Sequence, residues 1–141
     1  MTDRPLDKGQ LEVLSSDECW ELLAAEPVGR IAFVEAGEPT ILPVNYFLDG
    51  RSIVFRTTHG AKLSDAALSR PVAFEVDAYD EDERTGWSVL VRGTADDLNA
   101  ADAAALLDEA GFEPSAEEAG WEQWVRVRPD EISGRRIPDR D

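Results

Sequence analysis

The sequence predicts a mainly β domain, an antiparallel sheet or small barrel with peripheral helices. Three observations carry this. Short apolar runs rich in β-branched and aromatic residues recur: Val28 to Val34, Thr40 to Leu48, Arg51 to Thr57, Val72 to Val76, Trp87 to Thr94 and Trp121 to Val127. Turn signals separate neighbouring runs, most clearly Asp49-Gly50, a two-residue hairpin pattern. Helical patterns are few and do not alternate regularly with the strands, which disfavours a doubly wound parallel fold.

Each element follows from local chemistry. Ser15, with Glu18 three residues on, forms a capping-box pattern and predicts a helix through Trp20, Leu22, Leu23 and Ala24 that stops near Pro27. Glu35-Ala36-Gly37-Glu38-Pro39 is a turn between the first two strands. Lys62 to Leu68 fits a short helix closed by Pro71, and Ala100 to Ala110 is alanine-rich and helical up to Gly111. Asp77 to Gly86 is acidic and turn-rich. Its Asp80-Glu81-Asp82-Glu83 run lacks EF-hand spacing, so it reads as a solvated hairpin tip and not as a calcium loop. Pro129 is expected to open an irregular tail. No repeat or long linker divides the 141 residues, so one domain is expected over 1–141, with 1–14 and 137–141 as loosely ordered tails.

Composition narrows the function. The chain is 43% hydrophobic with four Trp and five Phe, which argues for a packed core. Its net charge of −16 disfavours a nucleic-acid partner and peripheral binding to anionic lipid. A small anionic ligand still fits if its pocket is locally positive. The polar start Met1-Thr2-Asp3-Arg4-Pro5 has no signal-peptide core, and no apolar run approaches the roughly 20 residues of a membrane span. The single cysteine, Cys19, excludes an internal disulfide, so a reduced, cytoplasmic setting is expected. No basic residue adjoins Cys19 to activate it, so it is expected to pack on a helix face.

Two stretches hold candidate chemistry. In Phe55-Arg56-Thr57-Thr58-His59-Gly60-Ala61-Lys62 an apolar strand opens into a turn with two hydroxyls, a glycine and two long cations. Such a turn can hold a phosphate through N–H groups, hydroxyls and charge, or it can simply be a strand end with Thr58 capping the next helix. In Ile41-Leu42-Pro43-Val44-Asn45-Tyr46-Phe47 a proline interrupts an apolar strand. Proline belongs at an edge, bulge or mouth, where free backbone groups can meet a flat heteroaromatic ring; the plainer alternative is an edge strand whose Asn45 satisfies a local turn. The hairpin makes these two strands neighbours.

Side-chain chemistry is otherwise poorly supplied. One histidine and one cysteine cannot build a zinc site, so no metal is expected. No nucleophile elbow, dinucleotide fingerprint or Walker loop is present. His59 reads as a solvent-facing loop residue. No catalytic residue can be named, and a bound cofactor is expected to carry any reaction.

The ordered set Gly29-Arg30-Ile31-Ala32, Pro43-Val44-Asn45-Tyr46, Phe55-Arg56-Thr57, Lys62, Val72-Ala73-Phe74 and Gly93 resembles the pyridoxamine 5′-phosphate oxidase-like flavin-binding split-barrel family. Val125 to Arg136 is similar to its small bacterial branch related to nitroimidazole-resistance proteins, and the resemblance spans roughly Ser15 to Arg136. It implies an antiparallel split β-barrel of the FMN-binding type and a cytoplasmic homodimer with the flavin at its interface. It implies that Pro43, Val44, Asn45 and Tyr46 lie along the isoalloxazine ring, largely through backbone groups. Arg56, Thr57, Thr58 and Lys62 match the positions that hold the FMN phosphate. Trp87 and Ser88 fall on a strand that the second subunit contributes, with Trp124 and Arg135 as weaker candidates from that subunit. The implied activity is that of a flavin-dependent oxidoreductase acting on a small organic substrate. A deazaflavin-dependent reductase of the same fold and a non-catalytic flavin-binding or sensing module are the alternatives. The carboxy-terminal substrate pattern of authentic pyridoxamine phosphate oxidases is missing, which argues against vitamin B6 oxidation.

Overall fold

The computed structural model describes residues 4–57, 68–98, 101–102, 105–106 and 123–138. Its elements run β1 (Glu12–Val13), α1 (Ser16–Ala25), β2 (Val28–Glu35), β3 (Glu38–Asp49), β4 (Ser52–Thr57), β5 (Pro71–Asp80), β6 (Thr85–Asp97) and β7 (Gln123–Arg136). Ala101, Asp102, Ala105 and Leu106 are helical, as the alanine-rich segment predicts. The rest of that segment, Trp121 and the short helix expected from Lys62 lie outside the described residues, apart from Leu68, which sits in a turn.

The sheet order is β1-β7-β4-β3-β2-β5-β6, and β6 also pairs with β7. This last pairing closes six strands into an antiparallel ring. The core is the inside of that ring, where Ile31, Phe55, Phe74, Val89, Val91 and Val125 are fully buried. Successive residues on a strand point to opposite faces, so each inner residue alternates with an outer one. Helix α1 packs on β7, β3 and β6 and buries Cys19, Trp20 and Leu23. The capping box forms as the sequence predicts: the Glu18 N–H donates to the Ser15 hydroxyl at 3.2 Å, and the Ser15 N–H donates to the Glu18 carboxylate at 3.1 Å.

The β3–β4 hairpin closes one residue later than the Asp49-Gly50 pattern implies. Asp49 pairs with Ser52, so Gly50 and Arg51 form the turn, with Gly50 at φ 58°. Glycine at the first central position is what a hairpin turn of the II′ kind needs. The acidic tip is shorter than expected, because β5 runs to Asp80 and β6 resumes at Thr85. The Asp80 carboxylate accepts from the Asp82 and Glu83 N–H groups at 3.0 and 3.1 Å, which turns the chain.

The largest correction concerns Pro129. The chain does not become an irregular tail there, since β7 continues to Arg136 along β6. Gly93 pairs with Pro129 while Arg92 pairs with Glu131, which leaves Asp130 as the extra residue of a β-bulge. A bulge is where a proline without an N–H can sit inside a sheet. Gly93 permits it: a Cβ there would lie 2.1 Å from the Arg128 carbonyl oxygen. Within the segment expected as an amino-terminal tail, Glu12 and Val13 pair with Arg136 and Arg135.

Candidate functional site

Strands β3 and β4 part company where the two notable sequence stretches meet. Strand β3 pairs with β2 from Glu38 to Asn45, but with β4 only from Tyr46 to Asp49. Beyond Phe55, β4 turns its pairing to β7 alone, Arg56 opposite Trp124 and Thr57 opposite Gln123. Among the described residues, positions 39–44 of β3 therefore have a strand partner on the β2 side only. The result is a split in the barrel wall. One lip is the backbone edge of β3 through Pro43, Val44 and Asn45, and the other is the exit of β4.

The side chains sort by face. Pro43 and Asn45 are exposed on the outer face, and Val44 and Tyr46 point into the core. The Tyr46 hydroxyl donates to the Leu23 carbonyl of α1 at 2.5 Å, and its ring meets Phe74 edge-on, 5.0 Å between centroids at 76°. Burial, reinforced by the Glu26 charge, pushes the Tyr46 phenol up to about 12, so it stays a donor. The Tyr46 N–H donates to the Pro27 carbonyl at 3.3 Å, so neither its side chain nor its N–H faces the split. Arg56 is half-buried and stands directly opposite Trp124 in register, which puts a cation and a large ring together on the outer face. Trp124 thus lies beside Arg56 of its own chain. Thr57 points inward and is 2% exposed. Its hydroxyl makes a long 3.5 Å contact with the Gln123 carbonyl, while the Gln123 amide donates to Asp97 at 3.1 Å.

Trp87 and Ser88 are elsewhere. They sit on β6, separated from β3 by β2 and β5. Trp87 is half-buried opposite Ala78 and Arg136, and Ser88 lies opposite Asp77 and Arg135. Arg135 is engaged inside the chain, where its Nε donates to the Asp7 carboxylate at 2.9 Å. The Leu11 N–H first, and Arg135 after it, hold the Asp7 carboxyl below its ordinary value. A single chain brings together Pro43, Val44, Asn45, Arg56 and Trp124 but not Trp87, Ser88 or Arg135. Thr58, His59 and Lys62 lie outside the described residues.

One ionic cluster is not visible in the sequence. Arg30 Nη1 on β2 donates to Glu75 at 3.0 Å and to Asp77 at 2.9 Å on β5. Burial, then the neighbouring Asp77, raises Glu75 to about 7 despite Arg30. The signal was the two-residue spacing of Glu75 and Asp77, which puts both carboxylates on one strand face. Their cation appears only once the β2–β5 register, Arg30 opposite Glu75, is known. No group of His, Cys, Asp and Glu among the described residues could hold a metal, and no helix among them is long and apolar enough to cross a membrane.

A split with one backbone lip unpaired among the described residues, an exposed proline–amide face and a half-buried cation beside an indole suits a ligand with a flat polar ring and an anionic arm. The sequence model of the family described as pyridoxamine 5′-phosphate oxidase matches residues 15–136. The uncharacterized protein Rv0080 of Mycobacterium tuberculosis is 40% identical over 101 residues, 67% of this chain and 66% of that protein, just under two thirds of its length. A Mycobacterium smegmatis structure described as an FAD binding protein is 38% identical and has a TM-score of 0.71, covering 89% of this chain and 97% of its own. A Mesorhizobium loti structure described as FAD-binding is 25% identical with a TM-score of 0.71, covering 91% and 99%. With the barrel, the split and the family match in agreement over nearly its whole length, the chain belongs to the pyridoxamine 5′-phosphate oxidase-like family of flavin-binding split barrels.

Proposed function

We propose that this chain binds a flavin in the split between β3 and β4 and serves, as a homodimer, as a flavin-dependent oxidoreductase on a small organic substrate. The observation that carries the reading is the one-sided pairing of β3 beside Arg56. An isoalloxazine ring needs hydrogen bonds along its edge, and an unpaired strand lip offers them. A phosphate needs donors and positive charge, which Arg56, Thr58 and Lys62 supply at and beyond the exit of β4, while the inward-turned Thr57 side chain contacts the Gln123 carbonyl instead. Bound flavin supplies the electron or hydride chemistry. The chain's own work is to place the ring and neutralise the phosphate. Tyr46 ties the ring-facing strand to α1 through its hydroxyl, and Trp124 walls the phosphate end. Trp87 and Ser88, too distant to act within one chain, reach the split from the second subunit.

A single phosphate turn points to FMN. A second reading, FAD, is favoured by the Mycobacterium smegmatis and Mesorhizobium loti proteins, both described as FAD-binding. Titrating the apo-protein with each flavin and following fluorescence quenching discriminates between them. Arg56→Glu and Lys62→Glu should each weaken the preferred flavin by at least about tenfold, because reversing a cation paired with phosphate replaces attraction by repulsion. Unchanged affinity in both variants puts the phosphate elsewhere.

A further inference from the structure

The segment before α1 folds into a small hairpin of its own. The Val13 N–H donates to the Pro5 carbonyl at 2.8 Å, and Leu6 pairs with Glu12. Asp7 holds the turn of this arm. Its Oδ1 accepts from the Gly9 and Leu11 N–H groups at 2.8 and 3.0 Å, and Gln10 takes a left-handed φ of 68° between them. The arm joins the sheet through β1, where Val13 stands opposite Arg135. The second oxygen of Asp7 leaves the arm altogether. Oδ2 accepts from Arg135 Nε at 2.9 Å, across 128 positions of the chain. Arg135 Nη1 in turn donates to the Gly134 carbonyl at 2.9 Å. Two of its three nitrogens are thus tied, which fixes the plane of the guanidinium. Among the described residues Nη2 makes no hydrogen bond, and the side chain is 36% exposed.

We propose that Asp7 is a positioning residue for the flavin site: it fixes Arg135 so that the free Nη2, beside Ser88, donates to the flavin in the split of the other subunit. The inference rests on the reading above, in which Ser88 reaches that split, and adds the amino-terminal arm to it. The register carries the link. Arg135 stands directly opposite Ser88 in the β6–β7 ladder, on the same outward face. Facing residues on one face of an antiparallel pair have Cβ atoms about 4.5–5.5 Å apart, so a ligand that meets Ser88 also meets Arg135.

Asp7 matters for two physical reasons. A free arginine side chain loses rotamer freedom when it binds a ligand, whereas one clamped at Nε and Nη1 has lost it already on folding. A free guanidinium also has rivals to visit in a chain with 30 Asp and Glu residues. The nearest in the ladder is Asp77, on the other side of Ser88. Clamping by Asp7 keeps Arg135 from swinging to it. Position and charge then oppose each other. Removing a carboxylate favours an anionic flavin by charge alone, while releasing Arg135 disfavours it, and the inference commits to the second effect as the larger.

Asp7→Asn separates the two jobs of the carboxylate. The amide keeps an oxygen for the Gly9 and Leu11 N–H groups but turns an NH2, which cannot accept, toward Arg135. Flavin titration of the full-length apo-protein, followed by fluorescence quenching, is run on wild type, Asp7→Asn, Arg135→Gln and the double variant, with FMN and with FAD. For the flavin that wild type prefers, Arg135→Gln should weaken binding by about tenfold and Asp7→Asn by at least about threefold. The double variant should match Arg135→Gln within about twofold, because Asp7 acts only through Arg135. Tighter binding in Asp7→Asn means that its charge alone acts, and an equal loss with or without Arg135 means that it only folds the arm; either overturns the inference. Arg135→Gln that binds like wild type overturns the contact while the flavin reading stands. A wild type that binds flavin as a monomer overturns the route between subunits, and one that binds neither flavin overturns the reading beneath it.

Discussion

Tyr46 sits on the strand assigned to the flavin ring, yet its side chain serves the core. Its hydroxyl satisfies the Leu23 carbonyl and its ring braces Phe74. Tyr46→Phe should therefore cost about 1–3 kcal/mol, the penalty for a buried carbonyl left without its donor, and should leave flavin affinity within about twofold. Urea unfolding and flavin titration on the same variant check both halves. Gly29 makes a similar point. A Cβ there would lie 2.3 Å from the Phe74 ring, so Gly29→Ala should cost about 1–3 kcal/mol by overpacking. Residue-scale features written locally were legible in the sequence: the Ser15–Glu18 capping box formed as read, and Cys19 is buried with its thiol pushed up, first by burial and then by Glu18. The Arg30–Glu75–Asp77 cluster was not legible, because it joins residues 45 and 47 positions apart through strand register.

At the scale of elements, local rules succeeded where neighbours decide and failed where a distant strand decides. The Val28 and Thr40 strands and their hairpin partner appear within a few residues of their predicted bounds. Strand β7 was cut short at Pro129 because proline opposes a regular ladder, and only the partner strand's bulge at Gly93 reconciles them. Gly93→Ala should then cost about 3 kcal/mol, since the obstructing atom is backbone and cannot swing aside. Thermal melts compared with an exposed control substitution give the number. The start of α1 carries a pH signature. Arg4 first, and the Ser15 N–H after it, hold Glu18 at about 2, below its ordinary 4.5. Its folded-state value is depressed, so its contribution is full above about 4.5 and is lost as pH falls towards 2. Glu18→Gln should remove that part of the acid dependence and leave a flatter stability curve between those pH values.

For the whole molecule, the antiparallel class was legible from its hairpins and the barrel from the family resemblance, while the strand pairings that close the ring were not legible residue by residue. Pairing Ile53 with Val127 and Thr57 with Gln123 leaves no local mark on either segment. The same limit applies to the site. Pro43, Asn45 and Arg56 could be named from their residue types, whereas the split itself exists because β4 parts from β3 after Phe55 while it stays paired with β7. The charge of −16 acts at this scale too. Raising sodium chloride from about 0.05 to 0.5 M should increase the melting temperature, because screening relieves self-repulsion among the carboxylates. The central claim, that the split holds a flavin, is tested most directly by the absorption spectrum of the freshly purified protein, with mass analysis of whatever denaturation releases. A yellow protein that releases FMN or FAD in about one copy per chain is the predicted result. A colourless protein that quenches neither flavin on titration would contradict it.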